Sequence, residues 1–499
     1  MDIKSLKDKI LQLAIQGKLV PQDENDEPAS ILLEKIKAEK EQLIKDKVIK
    51  KEKPLPEISE EEKSFDLPKG WEWCRFRDVL DVRDGTHDTP KYVSEGIPLI
   101  TSKNISGNGI DYSNVKYISL DDHIEISKRS QVDNGDILFA MIGSIGNPVI
   151  VKKEIEFSIK NVALFKFYND TYINNKYLYY YLLFSQDNMK KNAKGAVQSF
   201  VSLKYLREYL LPLPPLEEQK RIVAKVDELF RLIDELDNNK QELLDSISNT
   251  RNKLLQLAIQ GKLVEQCEDD EPASVLLERI KSEKEQLIKD KVIKKEKPLT
   301  EISEEEKSFD LPKDWEWCRL GDITQINPRN KVDDEMKVSF VPMALFSDGY
   351  NNRHDSEIKI WKDIKSGFTH FAENDIAIAK ITPCFENRKS AILTNLENGI
   401  GAGTTELYIL RSYGKLVLPK FIYDIAISEE FIEGGKSTYT GTAGQQRVKK
   451  DFIKNYVIGL PPLEEQKRIV AKVDLIMDYL DKLQKEIESQ EVILENILK

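Results

Sequence analysis

The stretch LQLAIQGKLVPQDENDEPAS at residues 11–30 returns as LQLAIQGKLVEQCEDDEPAS at residues 255–274, shifted by 244 positions. The likeness runs through 11–76 and 255–320, where SFDLPKGWEWC (64–74) is answered by SFDLPKDWEWC (308–318). A second pair, PPLEEQKRIVAKVD, stands at 214–227 and 461–474, shifted by 247. Between these repeats lie two stretches, about 77–210 and 321–457, with almost no similarity to each other. One frame therefore occurs twice and carries two unlike inserts, which suits recognition of two unlike things at a set distance.

The repeat also closes on itself. Residues 463–499 correspond to 216–252, and the N-terminus corresponds to residue 245 onward, so the two chain ends together rebuild the central block of about 216–320. Such a circular order predicts an approximate two-fold axis within one chain, with termini that meet.

The frame reads as helical. After LPLPP (211–215) the prolines stop any strand and open a helix at Leu216, with Glu217 and Glu218 suited to its first turn. Ile222, Val226, Leu229, Ile233, Leu236, Leu243 and Ile247 then follow a period of 3.5, the mark of a coiled-coil seam. The run to Val264 amounts to roughly 70 Å of helix. The C-terminal helix repeats the register with Ile469, Val473, Ile476, Leu480, Leu483 and Ile487, continued by Leu494 and Ile497. Two such seams pack most simply antiparallel; the plainer reading is two helices in separate bundles. Gly17 and Gly261 look like helix stops. DEPAS then opens a further helix, with Pro28 and Pro272 at a first-turn position. That helix is highly charged with a thin apolar line (Leu32, Leu33, Ile36, Leu43, Ile44), mostly a solvated arm or else a docking arm for a partner. KEKPLPEISEEEKSFDLPKG reads as a linker, and GWEWC as the strand that begins the first insert.

The inserts read as mixed α/β. Short β-rich runs stand at 97–101, 136–142 and 162–167 in the first and at 338–344, 375–381 and 406–411 in the second. Each insert then turns helical, at 175–185 and 419–428, and ends in a glycine-containing loop where Gln198 and Gln445 align. The two inserts are therefore one fold with diverged surfaces.

A chain of 499 residues with 40% hydrophobic and 32% charged residues suits two or three domains. Four scattered cysteines form no CxxC pair, no signal peptide or membrane span stands out, and a reducing cytoplasm is expected. The net charge of −11 opposes nucleic acid, but the inserts carry only +1 and 0, leaving −12 on the frame. Binding to DNA by this chain alone is then weak and strongly salt-dependent, and a basic partner helps.

Several turn-rich loops carry the side chains that read base edges, since arginine forks fit guanine and amides fit adenine. They hold Arg83, Thr86, Lys103 and Asn104 in the first insert, and Arg329, Asn330, Asn387, Arg388, Gln445 and Gln446 in the second, with Gln198 at the aligned loop. Lys190, Lys191, Lys194, Lys204 and Arg207, with Arg447, Lys449, Lys450 and Lys454, are candidates for phosphates; a solvated helix face is the plainer reading. No GxxxxGK[ST] and no adenine-methyltransferase NPP[YF] loop occurs, and the four histidines show no metal-ligand spacing. GIGAG at 399–403 precedes a strand and reads as a turn. His87, near Asp84 and Asp88, lacks a nucleophile at a recognisable spacing, so no catalytic constellation emerges.

With the twin LQLAIQGKLV strings, the LPxGWEW-like 67–73 and 311–317, and the two PPLEEQKRIVAKVD helices in view, the chain resembles the specificity subunits of type I restriction–modification enzymes. The strings KGAVQSFVSLKYLREYLLPLPPL and GTAGQQRVKKDFIKNYVIGLPPL look like the close of a target-recognition domain. The resemblance implies a mixed α/β fold. Two α/β target-recognition domains are separated by long helices forming an antiparallel coiled coil, in a pseudo-two-fold circular arrangement. The segments are 1–65 (helix and linker), 66–212 (first recognition domain), 213–307 (central helices), 308–459 (second recognition domain) and 460–499 (C-terminal helix). It also implies a non-catalytic subunit without cofactor or metal of its own. Its partners are double-stranded DNA, two modification (methyltransferase) subunits using S-adenosylmethionine, and two restriction subunits using ATP and Mg. Unlike inserts imply an asymmetric bipartite site. The rival of another class is a coiled-coil adaptor that joins two protein partners without DNA.

Overall fold

The computed structural model of the chain describes residues 3–107, 109–169, 171–193, 199–442 and 444–497, the last eight by their backbone alone. Lys194 and Gln198 lie outside the described residues, as do the side chains of Leu494 and Ile497. The chain forms two compact units, Met1–Asn239 with Glu491–Lys499, and Lys240–Gln490. Both chain ends thus belong to one unit, as the circular order of the repeat requires.

The repeated letters are explained by one junction built in each unit. In the first, the helix Ile3–Ile15 ends on Gly17, whose φ of +66° closes the last turn: the Gly17 N–H bonds to the Ala14 carbonyl and the Lys18 N–H to that of Leu13. A Cβ there would stand 2.4 Å from Pro68 Cγ and 3.1 Å from the Trp71 ring. Trp71, buried, donates its indole N–H to Glu218 Oε2 at 2.9 Å, and Gln22 Nε2 donates to Glu218 Oε1 at 3.1 Å. Arg221 grips Asp26 at 2.6 Å, and Lys7 reaches Asp234 at 2.6 Å. The second unit repeats each bond. Trp315 donates to Glu465 at 3.0 Å, Gln266 to Glu465 at 3.1 Å, Arg468 grips Asp270 at 2.7 Å and Arg251 grips Asp481 at 2.6 Å. As numbering rises from Arg251 to Gln266 it falls from Asp481 to Glu465, so the helices Leu216–Ile259 and Leu463–Ile497 run antiparallel within the second unit. In the first unit the N-terminal helix does the same against the long helix, from Lys7–Asp234 to Gln22–Glu218.

The seam positions are covered unevenly. Ile222, Val226 and Ile233 are buried in the first unit, with Leu229 partly so; Ile247, Ile469, Val473 and Ile487 are buried in the second. Ile476 and Leu480 are intermediate, whereas Leu236 and Leu243 are each 51% exposed and Leu483 is 45% exposed. The long helix ends at Ile259, short of Val264, because Gly261 takes a φ of +66°.

Several details depart from the sequence reading. Pro28 and Pro272 cap the helices Ala29–Lys45 and Ala273–Lys289 from outside the first turn, with ψ near +149° and +146°. Each helix start is tied to the tryptophan motif, Ala29 N–H to the Gly70 carbonyl and Ala273 N–H to that of Asp314. These helices are not free arms: Ala29, Leu32 and Ile36, and Ala273, Leu276 and Ile280, are buried. The linker is a docked strap. Its acidic run forms a 3-10 turn whose Glu62 bonds the Ser59 N–H and is held by Arg75, and Glu306 is likewise held by Arg319. The prolines after Leu211 do not stop a strand: Leu210–Leu213 pairs antiparallel with Glu72–Arg75, placing Pro212 opposite Trp73. A two-stranded ladder is all edge, where proline is tolerated.

Each recognition domain hangs from this ladder, or from its counterpart Glu316–Arg319 with Val457–Leu460. The first contains an antiparallel sheet in the order Leu80–Asp84, Val162–Phe167, Ile137–Ala140, Gly146–Ile150. The second contains the same sheet as Thr324–Ile326, Leu407–Ser412, Ile376–Ala379, Ser390–Ile392. The other sheets share a parallel pair, Ser158–Ile159 with Ile97–Ile100 and Ile400–Gly403 with Lys337–Val341. Their edges differ: Tyr92–Val93 extends one side in the first domain, and Thr369–Ala372 the opposite side in the second. GIGAG is therefore largely a strand rather than a turn, and its glycines admit the Phe371 ring, which a Cβ at Gly401 would meet at 2.2 Å.

Candidate nucleic-acid interface

In the first recognition domain two loops converge on the turn at Lys160 and Asn161, the latter with φ of +57°. Thr86 N–H bonds the Ile159 carbonyl, Lys160 N–H bonds that of Ile100, and the Ser102 hydroxyl donates to the Asn161 carbonyl at 3.2 Å. Lys160 Nζ reaches the Thr89 hydroxyl, and His87 bridges Asn161 Oδ1 and Asp84. Asp84, buried, is also held by Arg129. This framework brings Arg83, Thr86, Lys103 and Asn104 together from two loops. Their side chains are differently engaged. Asn104 is spent inside its loop, accepting from the Thr101 N–H and hydroxyl and donating to the Asp111 carbonyl. Arg83 is paired with Asp81 at 2.6 Å, while Lys103 is exposed and makes no ion pair among the described residues. Lys160 and Asn161 escape the sequence reading because their neighbours are distant in the chain; only an asparagine in β-rich sequence hinted at the left-handed turn.

In the second domain the 327–331 loop is stapled to the sheet. Asn327 accepts the Ile409 N–H at 2.9 Å, and Asn330 donates to the Phe371 carbonyl at 2.6 Å while accepting from Arg411 at 3.1 Å. His370 takes the Asn330 N–H on Nδ1 and faces the Lys365 carbonyl with Nε2, which fixes the Nε2–H tautomer. Burial lowers its pKa, in keeping with a neutral ring. Arg329 and Lys331 stay exposed. Arg388 does not face outward: it bonds the Ile427 carbonyl at 2.9 Å, pairs with Glu429 and stacks over Tyr350. Asn387 beside it is exposed. At the closing loop Arg447 forks onto Glu406 with two 2.9 Å bonds, which pull the Glu406 carboxyl below its ordinary range. Gln446 is pinned through its backbone to Thr382, and Gln445 is exposed.

Among the phosphate candidates, Lys190 pairs with Asp187, Lys191, Lys204, Lys449 and Lys450 are exposed, and Arg207 donates to the Val82 carbonyl at 2.9 Å. Lys454 is paired with Glu296. Among the described residues no group of three or more His, Cys, Asp or Glu stands ready to hold a metal ion, and no helix is long and apolar enough to cross a membrane.

The model of the type I restriction modification DNA specificity domain matches this chain twice, over residues 68–245 and 312–495. The chain is similar to the specificity subunit of the type I restriction enzyme EcoAI of Escherichia coli, 50% identical over 244 residues, or 49% of this chain and 41% of that protein. The EcoEI specificity subunit, also of Escherichia coli, is 47% identical over 250 residues, 50% of this chain and 42% of that protein. The chain thus aligns with about two fifths of the length of these two relatives. A chain solved in a study of complex assembly and conformational transition of the type I R-M system superposes with a TM-score of 0.53 at 19% identity. That match covers 87% of this chain and 97% of the other, and it concerns the fold alone. Two matches, each spanning one recognition domain and the helix that follows it, show that this chain belongs to the family of the type I restriction modification DNA specificity domain.

Proposed function

We propose that this chain is the DNA-recognition subunit of a type I restriction–modification complex and catalyses nothing itself. The observation that carries the reading is one junction, repeated bond for bond, holding two family domains whose loops and sheet edges differ. Each domain reads one half of an asymmetric bipartite site. Thr86 and Lys103, and Arg329, Asn387, Gln445 and Gln446, lie on the base-reading loops. Arg83, Asn104, Asn330, Arg388 and Arg447, with their side chains tied within the chain, position those loops. Lys190, Lys191, Lys204, Lys449 and Lys450 serve the phosphates, which orient without specifying sequence, while Arg207 and Lys454, held by Glu52 and Glu296, brace the frame against each domain. The long helices fix the spacer, and their exposed apolar positions receive two methyltransferase subunits, which supply S-adenosylmethionine chemistry. Two restriction subunits supply ATP- and Mg-dependent translocation and cleavage.

The test is single-molecule sequencing of methyl-adenine in genomic DNA with the gene present and deleted, beside an expressed methyltransferase partner. A bipartite, asymmetric motif that vanishes on deletion is expected. An unchanged methylome with the complex assembled overturns the reading.

A further inference from the structure

Beyond the helices Ala29–Lys45 and Ala273–Lys289 the chain turns through KDKVIKKEK, at 45–53 and again at 289–297, letter for letter the same. Each turn sets five lysines against two acids on a frame that is otherwise acidic. The helix closes as at Gly17: the Lys47 N–H bonds the Ile44 carbonyl and the Val48 N–H that of Leu43, with Lys291 and Val292 alike. Lys47 and Lys291 therefore sit at φ +59°, a left-handed position where glycine or asparagine is less strained. The frame uses glycine for the same geometry at residues 17 and 261, yet keeps lysine here in both copies.

The acids of each turn are already engaged. Asp46 accepts the Gln42 amide, and Asp290 that of Gln286. Glu52 is held by Arg77 at 2.8 Å and Arg207 at 3.4 Å, and Glu296 by Lys454. Lys47, Lys50 and Lys51, and Lys291, Lys294 and Lys295, are exposed and form no ion pair among the described residues. The pairs with Arg207 and Lys454 also seat each turn directly against the last helix of its own recognition domain. The only strongly exposed apolar side chain in each turn is one valine, Val48 at 61% and Val292 at 68%. Protein interfaces are poor in lysine and need an apolar centre, whereas lysine is a point charge suited to phosphate.

We propose that the two lysine turns are a matched pair of phosphate grips, holding nucleic-acid backbone beside each recognition domain without reading its sequence. This rests on the DNA-recognition reading above. The experiment measures binding of the full-length chain to a random-sequence duplex by fluorescence anisotropy, starting from low salt. It compares wild type with K47Q/K50Q/K51Q, with K291Q/K294Q/K295Q, and with the corresponding lysine-to-arginine sets.

Each glutamine set lowers affinity about tenfold or more and reduces the slope of log K against log salt by about two to three. The arginine sets restore both. Unchanged affinity and slope in the glutamine sets overturn the grips. So does loss of a co-expressed methyltransferase subunit with the salt slope intact, which makes the turns protein contacts. If methyl-adenine mapping yields the bipartite motif while the glutamine sets bind as wild type, only the grips fall. If it yields no motif, the recognition reading falls and the grips with it.

Discussion

Trp71 and Trp315 show how much of the frame rests on single buried bonds. Each indole N–H meets a carboxylate that is about 1% exposed, and burial raises the pKa of both Glu218 and Glu465 against the pull of their Gln and Trp donors. A carboxylate with a raised folded pKa contributes most below its unfolded value and loses that contribution as pH climbs through the folded one. Trp71→Phe removes one of two donors, so it costs about 1–3 kcal/mol at neutral pH. The cost shrinks toward the ordinary carboxylate range, about pH 4.3, as the group takes a proton. Urea unfolding at neutral and at mildly acidic pH checks this, and Trp315→Phe behaves the same. An equal cost at both pH values marks the loss as packing alone. The same scale explains what was legible in the inserts. Residue types were readable, and Lys103, Arg329 and Gln445 are indeed exposed on their loops. Which donors were already spent was not: Asn104 is consumed seven residues away at Asp111, but Asn330 at Phe371 and Arg388 at Ile427 lie far along the chain.

At the scale of elements, a 3.5-residue period announces an apolar line but not what covers it. Ile233 and Ile247 are buried, yet Leu236 and Leu243 between them stand half exposed. Lysine at both leucines therefore changes stability by no more than about 0.5 kcal/mol in the isolated chain. Ile247→Lys instead places a charge in a packed site and costs more than about 3 kcal/mol. Denaturant unfolding followed by circular dichroism separates them, and comparable losses in all variants refute the open middle. The strand at Leu210–Leu213 was illegible for a related reason. Proline propensity argues against a ladder in general, but it does not disclose that this ladder has only two strands. The long frame helices and the central strands at Val162–Phe167 and Ile376–Ala379 were legible because their periodicity and punctuation agree, whereas the flanking strands Leu80–Asp84 and Ser390–Ile392 and the helix Leu120–Ser130 carry no such run and were not.

At the scale of the whole molecule, the economy of the design lies in where each insert enters and leaves. Arg75 faces Leu210 across one ladder, and Arg319 faces Val457 across the other, so both ends of each insert lie on adjacent residues of the frame. The tryptophan–glutamate bonds and the arginine–aspartate grips are all made by frame residues outside those cuts. Those bonds need no insert side chain, and where insert and frame do meet, the pairing is the same in both units, Lys176 with Asp227 and Lys420 with Asp474. Placing residues 321–457 in both frames leaves the junction bonds of both units intact. On the DNA-recognition function proposed above, the expected outcome is methylation of a site made of two copies of one half, with the other half gone. Methyl-adenine mapping of cells carrying only this chain reads the outcome directly. If the half-site native to residues 77–210 persists, or if the duplicated chain yields an unrelated motif, sequence reading is not confined to the inserts, and the frame must share in it.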